Sequence, residues 1–443
     1  MRVGTGGLIL GLAVVLTTSA AGARAEEVSV TLADALELAG SANPELQASL
    51  ARAEAQAARA ESVGGMKMPR LGLSVGWGYS NLPASVFANK LNAGQFTQED
   101  FDISRLNDPS ALSSLNTALT LEVPIDVFGK IGAATEGQAK YGEAASAATR
   151  DQRQEIRFRV MEAYRQAELA GRALEVTERA LEVAKARERD IEAREETGAA
   201  LKADLLRARA RRRQREAELA ARRGEKGMAE AGLARLLGAP PGRTYIPSEG
   251  PAPVTPLAGD EAEWTARALK QRPLLQAAGR KLEAAAAMAK GEDKSKWPDL
   301  GAFGSLYDNR TSDGGAQSWA VGVGVRWSLF DSPRGKRKAA ALAEQRAAEQ
   351  DVRAAVDGVR LQVAMAWRQA LTARERHAAA AGGAEEGREA FRVLQERRKA
   401  GMATLTDELE TETAALAAVL EEIRAAAEVA IADAALERAA GEI

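Results

Sequence analysis

From Ile156 onward the apolar positions fall at alternating steps of four and three. They are Ile156, Val160, Ala163, Ala167, Ala170, Leu174, Thr177, Leu181 and Ala184. The same alternation returns at Val352, Val356, Val359, Val363, Ala366, Ala370, Ala373, His377 and Ala380. Sustained 4-3 spacing is the seam of a coiled coil, and its many alanines let backbones approach closely. Proline is absent from 125–239 and from 334 onward, so long helices are predicted over about 133–197 and 336–400. At ~1.5 Å per residue each is roughly 100 Å long. Gly198 and Gly401 end them, and further helices are predicted at 200–237 and 403–440. Shorter ones fall at 45–67 and 274–296.

A second periodicity, of two, marks strands. Leu71, Leu73, Val75, Trp77 and Tyr79 alternate with glycine and serine. Leu119, Leu121, Val123 and Ile125 alternate with Thr120, Glu122 and Pro124. Trp319, Val321, Val323, Val325, Trp327 and Leu329 form a third run, and 300–307 a weaker fourth. One large apolar face and one small or polar face fits a transmembrane β-barrel with aromatics near its ends; a soluble sandwich with one buried face is the other reading. Four strands do not close a barrel, and a sheet in lipid does not leave its edges unpaired. Copies of the chain must therefore join, in a number the pattern does not fix.

The chain is written twice. Pro44 and Pro69 return as Pro273 and Pro298, shifted by 229. Tyr164-Arg165-Gln166-Ala167 returns as Trp367-Arg368-Gln369-Ala370, shifted by 203, with Gly198, Asp204 and Gly238 returning as Gly401, Asp407 and Gly441. The changed offset puts about 26 extra residues in the first copy, between Tyr79 and Ala118. A unit of this size exceeds solenoid and propeller repeats. The expected organisation is a signal peptide at 1–25, a first repeat at 26–238, a Pro-rich linker at 239–261 and a second repeat at 262–443. Each repeat holds a short helix, a β-hairpin and a long helical hairpin.

Composition narrows the setting. Arg2, the apolar run 8–16 and Ala23-Arg24-Ala25 read as a secretory signal, too short to span a bilayer. No cysteine is present, which removes disulfides, thiolate chemistry and a lipidated anchor, and no later apolar stretch has transmembrane length. Sixty basic and 62 acidic residues give a net charge of −2, not the basic field that nucleic acid selects. The arginine-rich run 207–215 lies between acidic stretches and reads as a solvated helix face. One histidine, His377, stands on the seam and reads as a packed or pore-facing imidazole. Without cysteine or a second histidine there is no ligand set for zinc and no catalytic triad. No enzyme, cofactor or metal site is expected.

In order and duplication, Asn43-Pro44-Glu45-Leu46, Pro69-Arg70-Leu71, the strand pairs, 123–130, Thr197-Gly198 to Asp204-Leu205 and Ala400-Gly401 to Asp407 resemble the TolC family of outer membrane efflux proteins. The segment 87–109 resembles an insert seen in some members. The resemblance implies a mostly α fold with a transmembrane β part. Four strands per protomer would contribute to a trimeric 12-stranded barrel, above a long coiled-coil α-helical barrel. It implies a homotrimer in the cell outer membrane with a periplasmic extension, serving as a passive gated duct with a periplasmic adaptor protein and an inner-membrane pump. Its contacts would be outer membrane lipid and no nucleic acid. It further implies that the hairpin turns form the gate, lined by Asp407 and Glu410, and that opening untwists them. Asp204 would hold the closed state, with Arg398 as a partner because Ala403 takes another family contact position. Gly198, Leu201, Gly401 and Leu405 would fall in the turns that meet the adaptor. A soluble periplasmic coiled-coil scaffold or adaptor is the alternative.

Overall fold

The computed structural model describes residues 26–443, so the expected signal peptide lies outside the described residues. In chain order the elements are β1 (Glu26–Val30), α1 (Leu32–Ala42), α2 (Pro44–Gly64), β2 (Arg70–Ser80), α3 (Pro83–Asn92), α4 (Ile103–Asn107), β3 (Leu112–Ile125), α5 (Lys130–Glu196) and α6 (Lys202–Leu236). They continue with β4 (Arg243–Pro247), α7 (Glu261–Gln271), α8 (Pro273–Lys294), β5 (Asp299–Thr311), β6 (Gly314–Arg326), α9 (Arg334–Lys399) and α10 (Leu405–Ala440). The six helices expected from periodicity stand within a few residues of their predicted bounds. α5 has 67 residues and α9 has 66.

The chain forms two compact units. One takes the described chain from Glu26 up to Asn43 with Arg159–Pro253 and Ala380–Ala427; the other takes Pro44–Phe158, Val254–Ala379 and Glu428–Ile443. Each unit draws on both repeats, and α5, α9 and α10 are divided between them.

In the first unit, β1 and β4 pair in parallel, Val28 opposite Tyr245. The Pro-rich linker at 239–261 thus contains a strand. Five residues with a proline at the end gave too short a pattern to read. Tyr164 is buried beneath this pair, where its hydroxyl donates to Val30 O at 3.0 Å and accepts from Glu249 N–H at 3.3 Å. Burial raises the Tyr164 pKa, so the phenol remains a donor.

The helix-end contacts are built to one plan in both repeats, each within its own unit. Thr31 caps α1 and Asp260 caps α7. Asn43 Nδ2 donates to Leu236 O at 2.8 Å, and Arg272 Nη1 to Ala439 O at 2.9 Å. Gly238 and Gly441 both have positive φ, 66° and 82°. A Cβ on Gly238 would stand 2.4 Å from Ala42 O, and one on Gly441 3.1 Å from Arg272 Cα. Only glycine fits either the angle or the space.

The second unit holds two assemblies. One is a core in which Val359, Val363, Ala366, Ala370 and Ala373 of α9 meet Val429, Ala432 and Leu436 of α10 and Trp264 of α7. Here the predicted 4-3 seam is buried from Val359 to Ala373, while Val352, Val356, His377 and Ala380 are half-buried. On α5 Ile156, Val160, Ala167, Thr177, Leu181 and Ala184 are buried as predicted, but between Val160 and Leu181 the buried face widens to Tyr164, Ala173 and Ala180 while Ala163, Ala170 and Leu174 are half-buried. An untwisted helix of 3.6 residues per turn slips against a 3.5 repeat. The other assembly is an antiparallel four-stranded sheet in the order β2-β3-β5-β6. A two-residue turn joins β5 to β6, whereas 81–111, with α3 and α4, joins β2 to β3. That places the extra residues of the first repeat.

Candidate functional site

The register fixes two different sheet faces. Leu71 pairs with Leu121, Leu73 with Leu119, Leu119 with Leu306 and Leu306 with Trp319. Side chains of paired residues share a face, so one apolar surface runs across all four strands, giving way to Thr117, Asp308, Arg310 and Gln317 toward the β5–β6 turn. It includes Val75, Trp77, Tyr79, Val321, Val323 and Val325, and it is open: Trp77 is 71% exposed and Trp319 72%. A continuous apolar surface of this kind marks a membrane or a partner. The opposite face carries Gly72, Ser74, Gly76, Gly78, Asn116, Thr120, Ser305, Asn309, Ser318 and Gly322. Phe303 lies over its partner Gly322, where a Cβ would come within 2.7 Å of the ring. Among the described residues β2 and β6 are edges with no neighbour on one side. Near the base of the sheet Phe128 stacks on Trp297 at 5.2 Å, and Trp327 Nε1 donates to Lys296 O at 3.1 Å. Such amphipathic aromatics suit a membrane–water boundary.

The helix-hairpin turns lie in the first unit. Gly198 (φ 74°) follows α5 and its N–H donates to Glu195 O; Gly401 (φ 73°) follows α9 and its N–H donates to Arg398 O. Both are left-handed helix-ending residues. Thr404 and Asp407 then open α10 as a capping pair. Asp407 N–H donates to Thr404 Oγ1 at 3.2 Å, and its carboxylate accepts from Thr404 Oγ1 at 2.6 Å and N–H at 3.0 Å. These bonds from the Thr404 hydroxyl and backbone hold the Asp407 carboxyl below its ordinary range.

Asp407 and Glu410 are both exposed on α10, on one face as expected. Glu408 and Glu412 occupy the opposite face and are buried. Arg187 of α5 donates through Nη2 to Glu408 at 2.6 Å and through Nη1 to Glu412. Arg398 of α9 also donates to Glu408. This carboxylate–guanidinium cluster joins three helices and was not expected from the sequence. Its only signal is the i, i+4 spacing of two glutamates opposite a basic residue near the α5 seam. The expected Arg398–Asp204 pair does not form within the chain. Arg398 is drawn to Glu408, ten residues on, and Asp204 meets Arg207 at 3.5 Å.

Leu405 packs with Ile191, Leu205 and Ala208 in the core of the hairpins. Leu201 is 70% exposed and Met402 equally so. Of the residues placed at the docking turns, Gly198, Leu201 and Gly401 are therefore at the surface, and Leu405 supports them from inside.

The basic run at 207–215 is paired with carboxylates except at Arg211, which donates to Gln214 and Thr413. Arg209 meets Glu192 at 2.6 Å, Arg212 meets Glu188 and Glu216 at 2.5 Å, and Arg215, 3% exposed in its side chain, meets Glu218. His377 is half-buried on α9. Among the described residues no group of three His, Cys, Asp or Glu is placed to hold a metal ion, and no helix is long and apolar enough to cross a membrane.

An edge-open sheet with an apolar outer face, carried with long paired helices, defines the class of outer membrane channel subunits. The chain belongs to the outer membrane efflux protein family, whose sequence profile matches residues 35–239 and 264–442. Solved structures share the fold. A membrane protein from Pseudomonas aeruginosa is 22% identical, with a TM-score of 0.77 over 93% of each chain. The CmeC outer membrane channel of Campylobacter jejuni is 17% identical, with a TM-score of 0.77 over 93% of this chain and 85% of that one. The MtrE outer membrane channel of Neisseria gonorrhoeae, in its open state, is 20% identical, with a TM-score of 0.75 over 96% and 93%. No curated protein matches at the level of sequence. The protein is an outer membrane efflux channel with a periplasmic helical extension, and the soluble scaffold reading is set aside.

Proposed function

We propose that three copies of this chain close one barrel of twelve strands and together form the passive exit duct of a tripartite export system. The observation that carries this reading is the four-stranded sheet with its continuous apolar face and two open edges. An unpaired strand edge in hydrocarbon costs several kcal/mol per polar group, so β2 of one copy pairs with β6 of the next. The apolar face meets lipid and the polar face lines the lumen. Residues 26–238 and 262–443 are the two halves of a duplicated unit joined by 239–261, and 1–25 directs export.

The two turns are the gate and the docking points for a periplasmic adaptor and, through it, an inner-membrane pump. Asp407 and Glu410 line the aperture as carboxylate rings that favour cations. Asp204 and Arg398 bind in the closed state through contacts with neighbouring helices or copies. Leu201 and Met402, exposed beside Gly198 and Gly401, offer apolar contacts to the adaptor. Energy comes from the pump; this subunit supplies the sealed path and performs no chemistry.

The test is the mass of the detergent-extracted protein with its conductance in a planar bilayer. Three protomers and a cation-selective channel are expected. A monodisperse single chain that stays in solution without detergent removes the proposal.

A further inference from the structure

The segment 81–111 is a folded body, although it only connects two strands. Phe87, Phe96 and Phe101 stack edge to face at 4.6 and 5.0 Å between centroids. Lys90 meets Asp100 at 2.7 Å, and the Asp100 carboxylate also accepts from Thr97 N–H and Oγ1. The body is docked on the sheet, on its polar face. Asn89 Nδ2 donates to Ser114 Oγ at 3.2 Å, and Asn116 Nδ2 donates to Asn89 Oδ1 at 3.3 Å. Thr311 Oγ1 donates to Gln95, and a Cβ on Gly94 would lie 3.3 Å from Ala316 Cβ. Val86 and Ala93 are buried on this side of α3, as are Ser114 and Asn309 beneath it. These strand positions lie toward the ends joined by 81–111 and by the two-residue turn.

We propose that this segment is a plug at the outer mouth of the duct, and that the three copies of it meet around the barrel axis. The inference rests on the reading of the polar face as the lumen wall. Twelve strands roughly 4.8 Å apart and tilted by about 40° close at a backbone radius of roughly 12 Å. A helix with its side chains is about 10 Å across, so three of them docked on the wall leave no open axis. Leu91, Phe101 and Ile103 are exposed apolar residues of the plug, and the neighbouring plugs are the surfaces that cover them. Between plug and wall a cleft of ≈ 600 Å³ remains, lined by Ser74, Asn89, Asn92, Asn116, Tyr307 and Ser318. Its lining is uncharged and mostly polar, with Val75 and Ala118 among it, so small polar molecules pass there while bulky cargo requires the plug to lift. The outer mouth is thus a size filter.

The chain has no cysteine, which makes the test direct. A Ser74→Cys variant in intact cells is treated from outside with a small impermeant maleimide and with a polyethylene-glycol maleimide of several kilodaltons. The small reagent is expected to label and the large one to fail. With 81–111 replaced by a two-residue turn, both are expected to label. The variant Asn89→Ala/Gln95→Ala, which keeps the segment but removes its latches, repeats the test if the deletion does not reach the outer membrane. Labelling of the full chain by the large reagent, as fast as in the shortened chain, overturns the plug and leaves the duct standing. If neither reagent labels with or without the plug, the polar face is not the lumen wall and both readings fall.

Discussion

Asp407 and Glu408 are adjacent in sequence and opposite in fate. Asp407 is exposed, with its carboxylate held ionised by Thr404. Glu408, 5% exposed, is enclosed by Arg187 and Arg398. Replacing Asp407 and Glu410 with alanine is expected to weaken cation preference without loss of folding, read from reversal potentials in a bilayer; unchanged selectivity would remove both from the pore lining. Replacing Glu408 leaves Arg187 with Glu412 alone and the partly exposed Arg398 without its carboxylate, a loss below the ~3–5 kcal/mol of a fully uncompensated buried charge. For Glu408→Gln, faster hydrogen exchange in the first turns of α10 is the expected readout. Asp100 gives a pH prediction. Hydrogen bonds from Lys90 and Thr97 lower its carboxyl to about 2, from an ordinary value of 3.8. A group with a depressed folded pKa stabilises above its unfolded value, and that stability is lost as pH falls through the folded one. The plug is therefore expected to keep its protection from proteolysis from neutral pH down to the ordinary carboxylate range, and to loosen only toward about 2. Loosening near pH 5 would contradict the Lys90–Asp100 lock.

At the scale of elements, what was legible followed from period and length. Helices as long as α5 and α9 repeat their pattern many times, so their existence and bounds were readable. Three strands alternated cleanly because one face is apolar and the other small or polar, while β5 was weaker because Phe303 and Tyr307 stand on the polar face and Gly304 on the apolar one. β1 and β4 were not readable, since five residues hold too few periods and their pairing is a long-range contact. The carboxylate cluster was hidden for a different reason. Arg187, Arg398, Glu408 and Glu412 come from three helices, and in a chain with so many charges no local spacing singles them out. Gly238 offers an element-level check. A Gly238→Ala change forces a Cβ against Ala42 O and a positive φ on alanine, and is expected to undock α6 from α1, lowering the thermal midpoint. An unchanged midpoint would mean that the α1–α6 junction contributes little.

For the whole molecule, the open edges decide the assembly. Cysteines placed on β2 and β6, at residues 75 and 321, are expected to cross-link copies into a ladder ending at three. A ladder ending at two, or none, would mean that the edges are closed in another way. Duplication has a consequence for what the lumen can hold. A half-length ancestor with one hairpin would need six identical subunits for the same cylinder, and every hairpin would carry the same connection. A bore of roughly 12 Å radius accommodates three helices about 10 Å across but not six. In the proposed barrel, fusion of two halves lets one hairpin keep a two-residue turn while its twin carries a folded stopper, an ornament for which sixfold repetition leaves no room.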